Sequence, residues 1–134
     1  MLSKKILVVE DSCDLRELLG SGLASLGWNP ILAESGRESL AKLECETPSV
    51  ILMDKGLGDM NGFELAAVLK RHPVYKRIPI LGTTAFPGCL VRQHCLAAGC
   101  DDFISKPFGF AALHRRLTQL VHGERSSTTA AAGL

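Results

Sequence analysis

Four apolar residues, Val50-Ile51-Leu52-Met53, run without a polar interruption into Asp54, and Gly56 and Gly58 follow at once. An uninterrupted apolar run of this length reads as a strand covered on both faces, and two closely spaced glycines oppose any regular continuation. A strand therefore ends at Asp54 with a carboxylate at its tip. In open parallel sheets, reactive groups gather beyond the carboxyl ends of the strands, which makes Asp54 the first candidate for chemistry. Asp, Gly and Asn are also ordinary turn residues, so the partners of Asp54 elsewhere in the chain must decide.

The same motif of apolar run, polar tip and helical stretch recurs along the chain. Residues 6–9 form a second uninterrupted run that stops at Glu10-Asp11-Ser12, where Asp11 or Ser12 can cap the helix that follows. Leu15, Leu18, Leu19, Leu23 and Leu26 recur at helical spacing up to Gly27, which marks helix one. Residues 28–33 read as strand two, with Pro30 favouring an edge position because it has no N–H to donate. Helix two is expected over residues 37–46, with Leu40 and Leu43 inward, and strand three over 49–53. Helix three follows a cap at Asn61, with Leu65, Val68 and Leu69 inward. Strand four is expected at 78–83, helix four at 90–98, strand five at 101–104 and helix five at 108–121, the last carrying Phe110, Leu113, Leu117 and Leu120 on its core side.

Five strands alternating with five helices predict an α/β fold with a parallel sheet and right-handed crossovers. Strand order 2-1-3-4-5, the flavodoxin-like (βα)5 three-layer arrangement, would set the tips of strands one and three side by side. Glu10, Asp11 and Asp54 would then converge. Three carboxylates so placed repel, each pair by about 4 kcal/mol at 4 Å for an effective dielectric near 20, so a positive charge is required among them. Oxygen-only donors suit a hard cation such as Mg²⁺. His72, His94, His114 and His122 are scattered and supply no zinc set, and they read as surface or core-edge residues.

Length and charge narrow the function further. At 134 residues there is room for one core, and a net charge of +1 from 15 basic and 14 acidic residues gives no footprint for nucleic acid or an anionic membrane. No apolar run approaches the ~20 residues of a membrane helix, and a cytoplasmic location is expected. Five cysteines without Cys-x-x-Cys spacing are expected to stay reduced. Residues 1–122 are expected to form the domain and residues 123–134, poor in apolar bulk, a flexible tail or the start of a linker.

Taken together, Glu10-Asp11 after strand one, Asp54 after strand three, Thr84-Ala85 thirty residues later and Lys106-Pro107 fifty-two residues after Asp54 resemble the receiver domain of two-component response regulators. The resemblance covers residues 5–121. It implies that Asp54 accepts a phosphoryl group from a histidine kinase or a histidine phosphotransfer protein. It implies a Mg²⁺ site made by Glu10, Asp11, Asp54 and the backbone carbonyl of Gly56. Lys106 would pair with phosphoryl oxygens, Thr84 and Ala85 would form the switch at the end of strand four, and Phe103 would be the aromatic that follows the movement. A downstream effector or a missing output domain would read the switch. The family also forms homodimers through helix four, strand five and helix five. Arg92, Arg115 and Arg116 are read here as solvated charges instead.

Departures from the family pattern are Glu10 where Asp is commoner, Lys55 after the acceptor, Gly58 in place of a frequent proline, and Gly56 with Phe86 at the positions that flank the approach of water. Competing readings are a Mg²⁺-dependent aspartyl-nucleophile phosphatase, which usually needs a second aspartate where Gly56 stands, and a flavodoxin-like FMN module, whose first loop should be rich in Ser, Thr and Gly rather than acidic. A degenerate receiver acting by protein contact alone is a further alternative.

Overall fold

The structure, a computed structural model, describes residues 4–54, 62–84 and 99–123, with the side chains of Phe63 and Thr84 outside that set. The described elements are β1 (Lys4–Val9), α1 (Cys13–Ser25), β2 (Trp28–Ala33), α2 (Gly36–Cys45), β3 (Val50–Asp54), α3 (Gly62–Arg71), a 3-10 turn (Tyr75–Arg77), β4 (Ile80–Thr84), β5 (Asp102–Ser105) and α4 (Phe110–Val121), the fifth helix of the sequence pattern. All strand pairs are parallel and the sheet order is β2-β1-β3-β4-β5. Fold and strand order are those expected, with β2 and its Pro30 at an edge. The helix expected over 90–98 and the Asn61 cap lie outside the described residues.

The lack of alternation within the strands follows from having helices on both faces. Leu7, Val9, Ile51, Met53 and Ile80 pack against Leu43 of α2 and Leu65, Ala66 and Leu69 of α3. Ile6, Val8, Val50, Leu52 and Leu81 pack on the other side against Leu19 and Leu23 of α1 and Leu113, Leu117 and Leu120 of α4. Each of the Val, Leu, Ile and Met side chains among these contributes about 1.5–3 kcal/mol on burial, so both layers must be apolar. The close approach of α1 to α4 depends on Gly22, where a Cβ would lie 2.1 Å from Phe110 Cζ.

Val68, expected in the core, is 44% exposed, and two of the periodic leucines of the first helix are also at the surface, Leu18 at 57% and Leu26 at 40%. At 100° per residue Leu18 lies about 140° around the helix from Leu23, past the edge of the buried stripe. Leu26 is already the C-cap of α1, which Gly27 ends with φ +96. Val68 flanks the stripe formed by Leu65, Ala66 and Leu69. Strand four begins at Ile80 and not at residue 78, because the 3-10 turn continues through Ile78, whose N–H donates to Tyr75 O.

Behind β4, Lys70 Nζ donates to Ile78 O and to Asp101 Oδ2, both at 3.0 Å, while Asp101 Oδ2 also accepts from Ile80 N at 2.8 Å. This node fastens the end of α3 to the starts of β4 and β5. Asp101→Ala takes the acceptor from the Ile80 N–H and the counter-charge from Lys70, which keeps only its bonds to the Ile78 and Lys76 carbonyls, and a loss of about 2 kcal/mol is expected in urea unfolding. The exposed Lys5–Glu46 pair, 3.4 Å apart, is the control: Glu46→Gln should move stability by less than about 0.5 kcal/mol. Equal effects of the two changes would refute the role given to the node.

Candidate functional site

The carboxyl ends of β1, β3, β4 and β5 meet at one edge of the sheet. Pairing of Val9 with Met53 brings Glu10 and Asp11, just past the end of β1, beside Asp54 at the tip of β3. One carboxylate oxygen from each of Glu10, Asp11 and Asp54 lies within 4.8 Å of the others. From the turn after β5, where the Lys106–Pro107 peptide is cis, Lys106 Nζ reaches 3.3 Å from Asp54 Oδ1 and 3.7 Å from Glu10 Oε1. The carboxylates predicted from strand tips and the lysine that the resemblance implies thus lie in a single cluster.

The first loop is built to hold its acids. Ser12 caps α1, accepting from Leu15 N, and its own N–H donates to Glu10 Oε2 at 3.1 Å. The Arg16 guanidinium donates to the Glu10 carbonyl at 3.0 Å, tying the first turn of α1 to the end of β1. Glu10 is only 3% exposed. Burial holds its carboxyl above the usual range; the Ser12 N–H opposes this, the Asp54 charge adds to it, Lys106 opposes it, and a hydrogen bond with Asp11 adds again.

Only oxygens face one another in this cluster, and Lys106 is the only cation paired with it among the described residues. A buried, destabilised Glu10 carboxylate beside two more acids is the environment a hard cation relieves, so the donor set fits Mg²⁺.

Residues 6–118 match the family described as response regulator receiver domain. The chain belongs to the receiver domain family of two-component response regulators. This receiver is 35% identical over 117 residues to the phosphate regulon transcriptional regulatory protein PhoB of Pseudomonas aeruginosa, covering 87% of this chain and 51% of PhoB. It superposes with a TM-score of 0.82 on chemotaxis protein CheY4 of Vibrio cholerae, at 31% identity and covering 87% of this chain and 98% of that one. It also superposes with a TM-score of 0.82 on the receiver domain of sensor histidine kinase PA1611 of Pseudomonas aeruginosa, solved with a magnesium ion coordinated in its active site cleft, at 30% identity and covering 90% and 98%. The receiver spans about half or less of the length of curated relatives such as PhoB (51%) and a protein-glutamate methylesterase of Treponema denticola (29%). Members of this family are signalling switches.

Of the expected site residues, Gly56 and Ala85 lie outside the described residues, as do Lys55, Gly58 and Phe86. Thr84 closes β4 opposite Ser105. Phe103 pairs with Gly82 and packs on the α2–α3 core, the face of the sheet opposite to Leu52 and Leu81. Two residues escaped the sequence reading. Nothing in the spacing marked Arg16, whereas Thr83 was detectable as a hydroxyl ending the run Ile80-Leu81-Gly82. The reading of Arg116 as a solvated charge is corrected: its Nη1 lies 3.1 Å from Asp102 Oδ2 and 2.9 Å from Phe103 O, and Asp102 is buried. His114 fits its core-edge reading, with Nδ1 accepting from Trp28 Nε1 at 3.0 Å. No described helix is long and apolar enough to cross a membrane.

The raised Glu10 carboxyl gives a signed pH effect for the metal-free protein. A carboxyl that titrates higher folded than unfolded lowers stability as pH climbs from the ordinary value of 4.5 through the folded value, and the loss is complete above it. Glu10→Gln, which can still accept from Ser12 N, removes that loss. In chelator at about pH 7.5 the variant should melt a few degrees above wild type, with the gap closing near pH 4. A lower melting temperature for the variant at neutral pH would contradict this account.

Proposed function

We propose that this receiver is a phosphorylation-operated switch in which Asp54 accepts a phosphoryl group from a phosphohistidine of a sensor kinase or phosphotransfer protein. The observation that carries the reading is the position of the Asp54 carboxylate, held 3.3 Å from Lys106 Nζ within a group of three acids at the carboxyl end of the sheet. In the transfer an Asp54 oxygen forms a bond to phosphorus as the phosphorus–nitrogen bond of the donor breaks, and the electron pair leaves with the imidazole. Such transfers depend on positioning and charge neutralisation more than on covalent machinery. Glu10, Asp11, Asp54 and the Gly56 carbonyl would hold Mg²⁺, which when bound supplies positive charge to the phosphoryl oxygens. Lys106 pairs with those oxygens from its own side.

Thr84, which closes β4, and Ala85, next in the sequence, then respond to the new acceptors, and Phe103 follows, turning a local charge change into a changed partner surface. Residues 1–122 make up this switch and residues 123–134 a tail or linker. It works in the cytoplasm on a protein effector or a covalently attached output domain, not as an enzyme on small molecules, and a homodimer through the helix expected over 90–98, β5 and α4 is one form the output takes. The first test is intact mass after acetyl phosphate: one phosphoryl adduct that forms only with Mg²⁺ is expected. No adduct at all would leave a degenerate receiver that acts by contact.

A further inference from the structure

Thr83 is the parallel partner of Asp54 across β3 and β4, and register partners in a sheet project from the same face. Two residues back, Leu52 and Leu81 both enter the α1–α4 core, so Asp54 and Thr83 emerge together on that side. On its other flank Thr83 pairs with Ile104, itself part of that core. Thr83 is 3% exposed, and a valine of the same shape would suit such surroundings without the cost of desolvating a hydroxyl. The hydroxyl has two acceptors in reach, Met53 O and Asp54 Oδ1, each at 3.5 Å. Of the two, the ionised carboxylate is the stronger acceptor. Lys106 Nζ donates to the same Oδ1.

We infer that the Thr83 hydroxyl is a leaving-group donor that shortens the lifetime of the phosphorylated state. The inference rests on the reading of Asp54 as phosphoacceptor. In hydrolysis of the aspartyl phosphate, water attacks phosphorus, the bond from phosphorus to the Asp54 oxygen breaks, and inorganic phosphate departs with the oxygen of water, whose proton passes to phosphate or solvent. The electron pair returns to Asp54 and spreads over both carboxylate oxygens. A donor on Oδ1 therefore stabilises charge that grows as the bond breaks, which is the condition for accelerating the step.

The test is the half-life of the purified phosphoprotein, followed by intact mass in Mg²⁺ after removal of acetyl phosphate, for wild type, Thr83→Val and Thr83→Ser. Thr83→Val should lengthen the half-life about fivefold, and Thr83→Ser, which keeps the hydroxyl, should stay near wild type. A role in packing predicts the reverse order, because Val preserves the shape and Ser leaves a gap; thermal melting of both variants reports on packing separately. An unchanged half-life in Thr83→Val, or an equal change in both variants, overturns the inference while Asp54 phosphorylation stands. Absence of an adduct on wild type itself overturns the phosphoacceptor reading and the role of Thr83 with it.

Discussion

Asp54→Asn should yield a folded protein that gains no phosphoryl mass in acetyl phosphate and Mg²⁺, a rate at least about a thousandfold below wild type and beneath detection. The two side chains have the same shape, and the residue sits at the tip of β3 with its side chain 13% exposed, so no packing is lost. What changes is chemistry. The amide is not a nucleophile for phosphorus at neutral pH, and no other described carboxylate takes its place: Glu10 is buried and held by Ser12 N–H, and Asp11 belongs to the loop before α1. Removing one of three mutually repelling charges should also leave the metal-free variant at least as stable as wild type, which separates lost reactivity from lost folding. Intact mass and a thermal melt on one sample read both quantities. Full labelling of Asp54→Asn would remove Asp54 from the phosphoacceptor role.

Mg²⁺ alone, with no phosphoryl donor, should stabilise the protein by about 2.7 kcal/mol when free ion exceeds its dissociation constant a hundredfold, a rise in melting temperature on the order of 10 °C for a domain of this size. The physical source is the acidic group itself. Carboxylate oxygens within 4.8 Å of one another must separate or share a cation, and Lys106, at 3.3 and 3.7 Å from two of them, offsets only part of their charge. Asp11→Asn removes a ligand from the exposed side of the cluster without disturbing the core, and should abolish most of the rise. Asp101→Ala, at the far end of β4, should keep it. A melting temperature indifferent to Mg²⁺, or a rise undiminished in Asp11→Asn, would show that these residues do not form the cation site.

The strands were readable in the sequence because each is a short apolar run, and helices on both faces of a parallel sheet require that pattern locally. Strand tips were readable for the same reason: Glu10-Asp11 and Asp54 stand where a run stops, and chain order with one rule for strand order suffices to bring them together, while the place of Lys106 among them came from the family resemblance. Helix faces were less legible. Leu18 and Val68 satisfy a helical period yet lie outside the buried stripe, because the width of the stripe depends on what packs against it.

The acids, the lysine and the alternation that carries them follow from the sequence alone, since strand and helix periods are short-range properties of the chain. Tertiary structure decided what depends on register and on burial. It set Thr83 beside Asp54, turned Arg116 from a solvated charge into the partner of a buried Asp102, joined Lys70 to Asp101, and raised the Glu10 carboxyl above its ordinary range. Hydrogen bonds and desolvation act between residues far apart in the chain, and their strength appears only when the sheet has brought those residues within a few ångströms of one another.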